Sequence, residues 1–162
     1  MFRTRITIFA GTALTAALAS AALWTALAGL ASASPRASAA RTGAANIQLH
    51  NTRVGKILTT RNGFTVYAFT ADKARKDVCV KRSGCTSLWP LVTTHGKPKA
   101  GKGVNRRMLG TIKVNGKTQV TYGGHPLYKY SGDSSSGDTS YVGVNQFGGV
   151  WKALAASGKL IG

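Results

Sequence analysis

The chain has 162 residues, 22 Lys and Arg against four acids, and a formal net charge of +18. That length allows one domain of ordinary size, and that charge suits polyanionic partners rather than acidic-site chemistry. There is no glutamate and there are two cysteines, which leaves little material for paired acid–base catalysts or a cysteine-built metal centre.

In chain order, "MFRTR" opens a stretch from Ile6 to Leu30 without a charge. Two arginines, an apolar run and small residues describe a secretory signal peptide over 1–33. Ala31-Ser32-Ala33 fits a cleavage site, and Ala37-Ser38-Ala39 is a second one. The rival reading is an uncleaved anchor, because the run is long enough to span a bilayer. No cysteine precedes Cys79, so no lipoprotein anchor is expected. Residues 34–52 read as a disordered linker, small and polar without an apolar period. Residues 53–162 are then the folded part. Removing a signal peptide that carries Arg3 and Arg5 takes the +18 of the whole chain to +16 for the remainder.

The next elements are strands. "KILTT-RNG-FTVYAF" reads as a hairpin, and "TIKV-NG-KTQVTY" reads as one more clearly, because Asn-Gly flanked by β-rich runs is a strong turn signal. Between them, Cys79 and Cys85 in an exported chain are expected to form one disulfide around a five-residue loop. "GGHPLYKY" is a further strand entered through a Gly-Gly turn. "VWKALAAS" and its counterpart "LWPLVTT" are read as strands. Almost no stretch keeps a helical period, so the fold class is mainly β.

The chain repeats itself. Tyr67, Phe69, Asp72 and Asp77 precede Trp89; Tyr128, Tyr130, Asp133 and Asp138 precede Trp151. All four acids of the protein fall into two matched pairs. Upstream, "VGKIL" at 54–58 is matched with "LGTIK" at 109–113, and Asn62-Gly63 with Asn115-Gly116, at the cost of a six-residue insertion. This predicts a single antiparallel β domain of two pseudo-symmetric repeats, at about 54–97 and 109–159, completing one core.

These motifs resemble a known family, the bacterial secreted repeats of unknown function, also described as predicted lipoproteins with a Yx(FWY)xxD motif. The carriers are Tyr67-Ala68-Phe69-Thr70-Ala71-Asp72, the cysteines leading into Trp89-Pro90-Leu91, and "QVTYGGHPLYKYSGD" followed by "GGVWKAL". The resemblance covers nearly all of 54–158. It implies an envelope or extracellular location and supplies no activity. The chain lacks the lipid-anchor cysteine that many members carry, and its cysteines are more widely spaced.

The motif admits several roles. In a strand, residues i and i+2 share a face, so Tyr67 points with Phe69 and Tyr128 with Tyr130. The structural reading sends the aromatics into the core and has Asp72 and Asp133 accept backbone N–H groups in the turn that follows. A ligand reading places calcium between Asp133 and Asp138, where "DSSSGDTS" offers carboxylates, hydroxyls and a glycine. A third reading uses Trp89, Trp151, the motif aromatics and Tyr141 as a platform for sugars or flat ligands. Enzymatic chemistry has the least support: His50, His95 and His125 are isolated, and no nucleophile elbow is present. The sequence therefore predicts a secreted or envelope-associated, non-catalytic binding or structural protein without a cofactor. Its expected partners are anionic envelope polymers or a membrane surface, held weakly and sensitively to salt. No motif for specific nucleic-acid recognition is visible.

Overall fold

A computed structural model describes residues 43–162. The signal peptide read over 1–33 lies outside these residues. Ten strands dominate. Strands β1 (Asn46–Thr52), β2 (Gly55–Thr60) and β3 (Tyr67–Phe69) precede a single helical turn, α1 (Cys85–Leu88). Then come β4 (Lys99–Ala100), β5 (Leu109–Val114), β6 (Lys117–Tyr122) and β7 (His125–Pro126). The chain ends with β8 (Asn145–Gln146), β9 (Gly149–Leu154) and β10 (Leu160–Ile161). The sheets run β2-β1-β4, β5-β6-β7 and β10-β9-β3, with β8 also on β9. All pairings are antiparallel except the short β1–β4 contact.

Part of the stretch read as linker, 46–52, is strand β1. It pairs with β2 over six residue pairs, from Ile47↔Thr60 to Thr52↔Gly55. Its only strong apolar positions, Ile47 and Leu49, are two apart, and they face the core. Strand β5 pairs with β6 over the same span, from Leu109↔Tyr122 to Val114↔Lys117. Every pair of one hairpin therefore maps onto a pair of the other at an offset of 62. The repeat begins at β1, not at 54. The counterpart of the Asn115-Gly116 turn is Arg53-Val54, not Asn62-Gly63, and the six-residue insertion disappears. Asn115 and Gly116 both have positive φ, 46° and 74°, as a two-residue hairpin turn of the primed type requires. The first hairpin instead places the positive dihedral on Gly55, at 108°. That difference hid the match.

The segment read as the strand "LWPLVTT" is split. Residues 85–88 form the turn α1, closed by the Cys79–Cys85 disulfide. Residues 91–94 are extended, bridging Tyr128 through Leu91 and Gln119 through Thr93. Pro90 lacks the N–H that a continuous ladder needs. Closing so short a loop covalently stabilises the fold by about 2 kcal/mol.

Two buried clusters fill the interior. One is aliphatic, built on Ile47, Leu58, Val66, Val120, Leu127 and Leu154. The other gathers Tyr67, Phe69, Trp89, Tyr128, Trp151 and the disulfide. Gln119 is an intruder in the interior. It is fully buried, its Nε2 donates to the Leu127 carbonyl at 3.2 Å, and its Oε1 has no partner. The same position in the first hairpin holds Ile57. The Leu127 carbonyl also accepts from Val92 N at 2.9 Å, so it stays satisfied without the glutamine. Gln119→Met keeps the volume and removes the orphan oxygen. It is expected to raise the unfolding free energy by about 1 kcal/mol, measured by urea denaturation; a lower midpoint would contradict this account.

Candidate functional site

The two copies of the Tyr-x-aromatic-x-x-Asp motif meet in the interior of the described domain. Tyr67 and Tyr128 lie opposite each other and exchange both backbone bonds, each N–H donating to the other's carbonyl at 2.9 Å. Each motif strand also pairs with the tryptophan segment of the other copy. Tyr67 faces Ala153, and Tyr128 faces Leu91. Thr70 N donates to the Val150 carbonyl at 3.0 Å, and Ser131 N donates to the Leu88 carbonyl at 2.9 Å. Exchanging the copies maps this network onto itself.

The side chains follow the same exchange. Trp89 and Trp151 stack at 3.7 Å with planes 2° apart. Tyr67 meets Trp89 edge-on at 5.2 Å, and Tyr128 meets Trp151 edge-on at 5.1 Å. Phe69 lies against Trp151 at 4.4 Å and Tyr130 against Trp89 at 4.7 Å. Such aromatic pairs contribute about 0.5–1.5 kcal/mol each beyond area burial. Both indoles are fully buried, so they present no face to a sugar. Tyr130 and Tyr141 are half-buried and stack on one another at 3.6 Å.

The acids close the exchange. Tyr128 Oη donates to Asp72 Oδ2 at 2.7 Å, and Tyr67 Oη reaches both oxygens of Asp133 at 3.2 and 3.3 Å. Each copy's carboxylate thus holds the other copy's tyrosine. Asp72 also accepts from Val78 N at 2.7 Å, the turn contact the local pattern predicts. Asp133 accepts no backbone N–H; its contact is the tyrosine. Asp77 caps its own turn by accepting from Val80 N at 3.0 Å, and its Oδ2 is buried without a partner. Asp138 accepts from Ser134 N and Ser135 N at 2.9 and 2.8 Å.

Burial pushes the Asp72 carboxyl up to about 6, partly offset by the bonds from Val78 and Tyr128. Burial likewise pushes Asp133 to about 6, against the Tyr67 bond. Burial and the facing carboxylates push both tyrosine hydroxyls far up, so they stay donors. Asp138 moves the other way, held low by its bonds from Ser135 and Ser134. The sign of the pH effect follows. Asp72 and Asp133 bind protons more tightly folded than unfolded, so their stabilisation is complete below about pH 4 and is lost as pH rises through 6. Asp138 works in reverse, losing its contribution as pH falls through its lowered value. With two acids against one, the thermal midpoint is expected to fall between pH 4 and pH 6.5 at constant ionic strength. The double variant Asp72→Asn/Asp133→Asn should flatten that slope. A midpoint that climbs across this range in the parent protein would contradict the carboxyl assignment.

Other expected site residues stand apart. His50 lies in β1, His95 in the loop before β4, and His125 opens β7. Among the described residues, no three or more His, Cys, Asp or Glu side chains gather as a metal-binding group. Local sequence reasoning missed Gln146, whose Oε1 accepts from Trp89 Nε1 at 3.0 Å. Trp151 Nε1 is buried without a partner. It also missed Arg82, which lies over the Phe69 ring at 5.3 Å. The Gln146 contact crosses between the copies and the Arg82 contact stays within the first copy; neither has a short-range signature.

No curated protein and no solved structure matches the chain. A family model described as a secreted repeat of unknown function matches residues 49–93 and 111–155. These two matches cover more than half of the chain, begin within the two corresponding hairpins and end in the two tryptophan segments that the exchange relates. The chain belongs to this family of secreted repeats of unknown function, and it carries two copies of the unit.

Proposed function

We propose that this protein is a non-catalytic, envelope-associated module that holds anionic cell-envelope polymers through its basic surface. One observation carries the reading: all four acids are tied to tyrosines or backbone at two corners, while most Lys and Arg side chains among the described residues are exposed. Exposed cations without local carboxylates create a positive field that concentrates polyanions. The motif hydroxyls and carboxylates are engaged with one another inside the molecule, which favours a staple over a reacting group. The calcium reading of Asp133 and Asp138 draws less support, because both carboxylates already accept protein bonds.

Retention on an anionic matrix tests this. The protein is expected to bind at low salt and to elute by about 0.5 M, as the screening length shrinks from ~10 Å at 0.1 M toward ~3 Å at 1 M. Retention unchanged at 1 M salt, or none at 10 mM, would overturn the proposal.

A further inference from the structure

We infer that the groove between residues 95–99 and β5 is the binding site, and that its ligand is a linear phosphodiester chain. This rests on the anionic-polymer reading above and gives it a location and a chemistry. The groove has a volume of about 940 Å³, and four cations line it: Lys97, Lys99, Arg106 and Lys113. It continues past Gly96, Lys113 and Thr118 into a second cavity of about 530 Å³, which adds Lys117. All five cations are exposed, and no acid lines either cavity. Lys113 is steadied by Thr118, whose Oγ1 accepts from Nζ at 2.7 Å.

The shape and the lining narrow the ligand. A continuous concave path suits an extended chain better than a flat bilayer. No Phe, Tyr or Trp side chain lines either cavity, and His95 in the second is the one ring among the lining residues, so the row of stacking platforms that sugar rings and bases exploit is missing. What remains is charge and hydrogen bonding, which suit phosphate groups on a flexible aliphatic backbone. Consecutive residues Leu109, Gly110 and Thr111 line the groove. Strand β5 is an edge strand with no neighbouring strand on its outer side among the described residues, and Thr118 of β6 lines the groove with it. Backbone N–H groups on that edge are additional donors to phosphate oxygens. The corresponding edge of β1 is covered by β4, so the groove exists in one half only.

The test is binding of the full chain to poly(glycerol phosphate) across a salt series, compared between two variants. The groove variant is Lys97→Gln/Lys99→Gln/Arg106→Gln/Lys113→Gln. The control, Lys56→Gln/Arg61→Gln/Lys76→Gln/Lys129→Gln, removes the same charge from exposed positions elsewhere. The groove variant is expected to bind at least tenfold more weakly, with a log–log salt slope shallower by about 3, given ~0.7 per contact for single-stranded polyanions. The control should lose less than threefold. Equal losses would overturn the groove while leaving the general anionic reading intact. Absence of binding by the parent protein to this polymer, to anionic phospholipid vesicles and to single-stranded DNA at low salt would overturn both. Tighter binding to the vesicles or the DNA would overturn the polymer assignment. Lysine acetylation of the unmutated chain gives a readout independent of variant folding. The polymer should protect Lys97, Lys99 and Lys113, and uniform protection of all lysines would overturn the site.

Discussion

Trp151→Ala is expected to lower the unfolding free energy by about 3–5 kcal/mol, measured by chemical denaturation. The indole is fully buried and stacks on Trp89 at one face and on Phe69 at the other, with Tyr128 edge-on. Its Nε1 has no partner, so the loss is one of packing and leaves no hydrogen-bonding group stranded. Trp89→Ala should cost a similar amount and additionally leaves the Gln146 side-chain Oε1 without its donor. The two losses should not add, because each tryptophan is a wall of the other's cavity. A double variant as unstable as the sum would mean that the stack is two independent contacts. A loss below about 1 kcal/mol for either single variant would remove the indole pair from the centre of the fold.

The second large effect belongs to the first corner. Asp72→Ala strands two donors at once, Val78 N and Tyr128 Oη, each bound at 2.7 Å. Leaving buried donors unpaired costs about 1–3 kcal/mol each, so a loss of about 2–4 kcal/mol is expected by the same measurement. Adding Tyr128→Phe to Asp72→Ala should cost less than the two changes taken separately, because the second removes a donor the first left unpaired. Asp133→Ala should cost less than Asp72→Ala. Its bonds to Tyr67 are longer, at 3.2 and 3.3 Å, and it holds no backbone group. Equal losses at the two corners would contradict this geometry.

Much of the architecture is legible in the sequence because it is written in local signals. Asn115-Gly116 sets a two-residue turn, the two cysteines in an exported chain pair, and the matched spacing of motif and tryptophan reveals the repeat. Strand β1 is hidden because "HNT" is polar and Arg53-Val54 carries no turn signature; Gly55 supplies the dihedral instead. Tyr67, Phe69, Trp89, Tyr128 and Trp151 are buried, while Tyr130 and Tyr141 are half-buried. The destination of the acids is only half legible. Asp72 does accept a backbone N–H six residues on, as a local rule suggests. That each carboxylate also receives the other copy's tyrosine depends on strand pairing across 56 and 66 residues, which no short window contains. The groove is invisible for a similar reason. Its cations come from separate stretches around 97–99, 106 and 113, and only β5 running beside the 95–99 loop brings them together.

The reciprocal pairing has a consequence for how the molecule can be divided. Each half keeps its own hairpin and its own edge-on tyrosine–tryptophan pair, yet the carboxylate that holds each motif tyrosine and the strand that pairs with it come from the other half. Cut in the connection between β4 and β5, the chain would yield two fragments with complementary needs: a tyrosine without its acid, an acid without its tyrosine, and one indole of a stack. Such fragments should recognise each other and reassemble. By the same logic two intact chains at high concentration can trade halves, because the exchanged contacts are identical whether the second copy comes from the same molecule or from its neighbour.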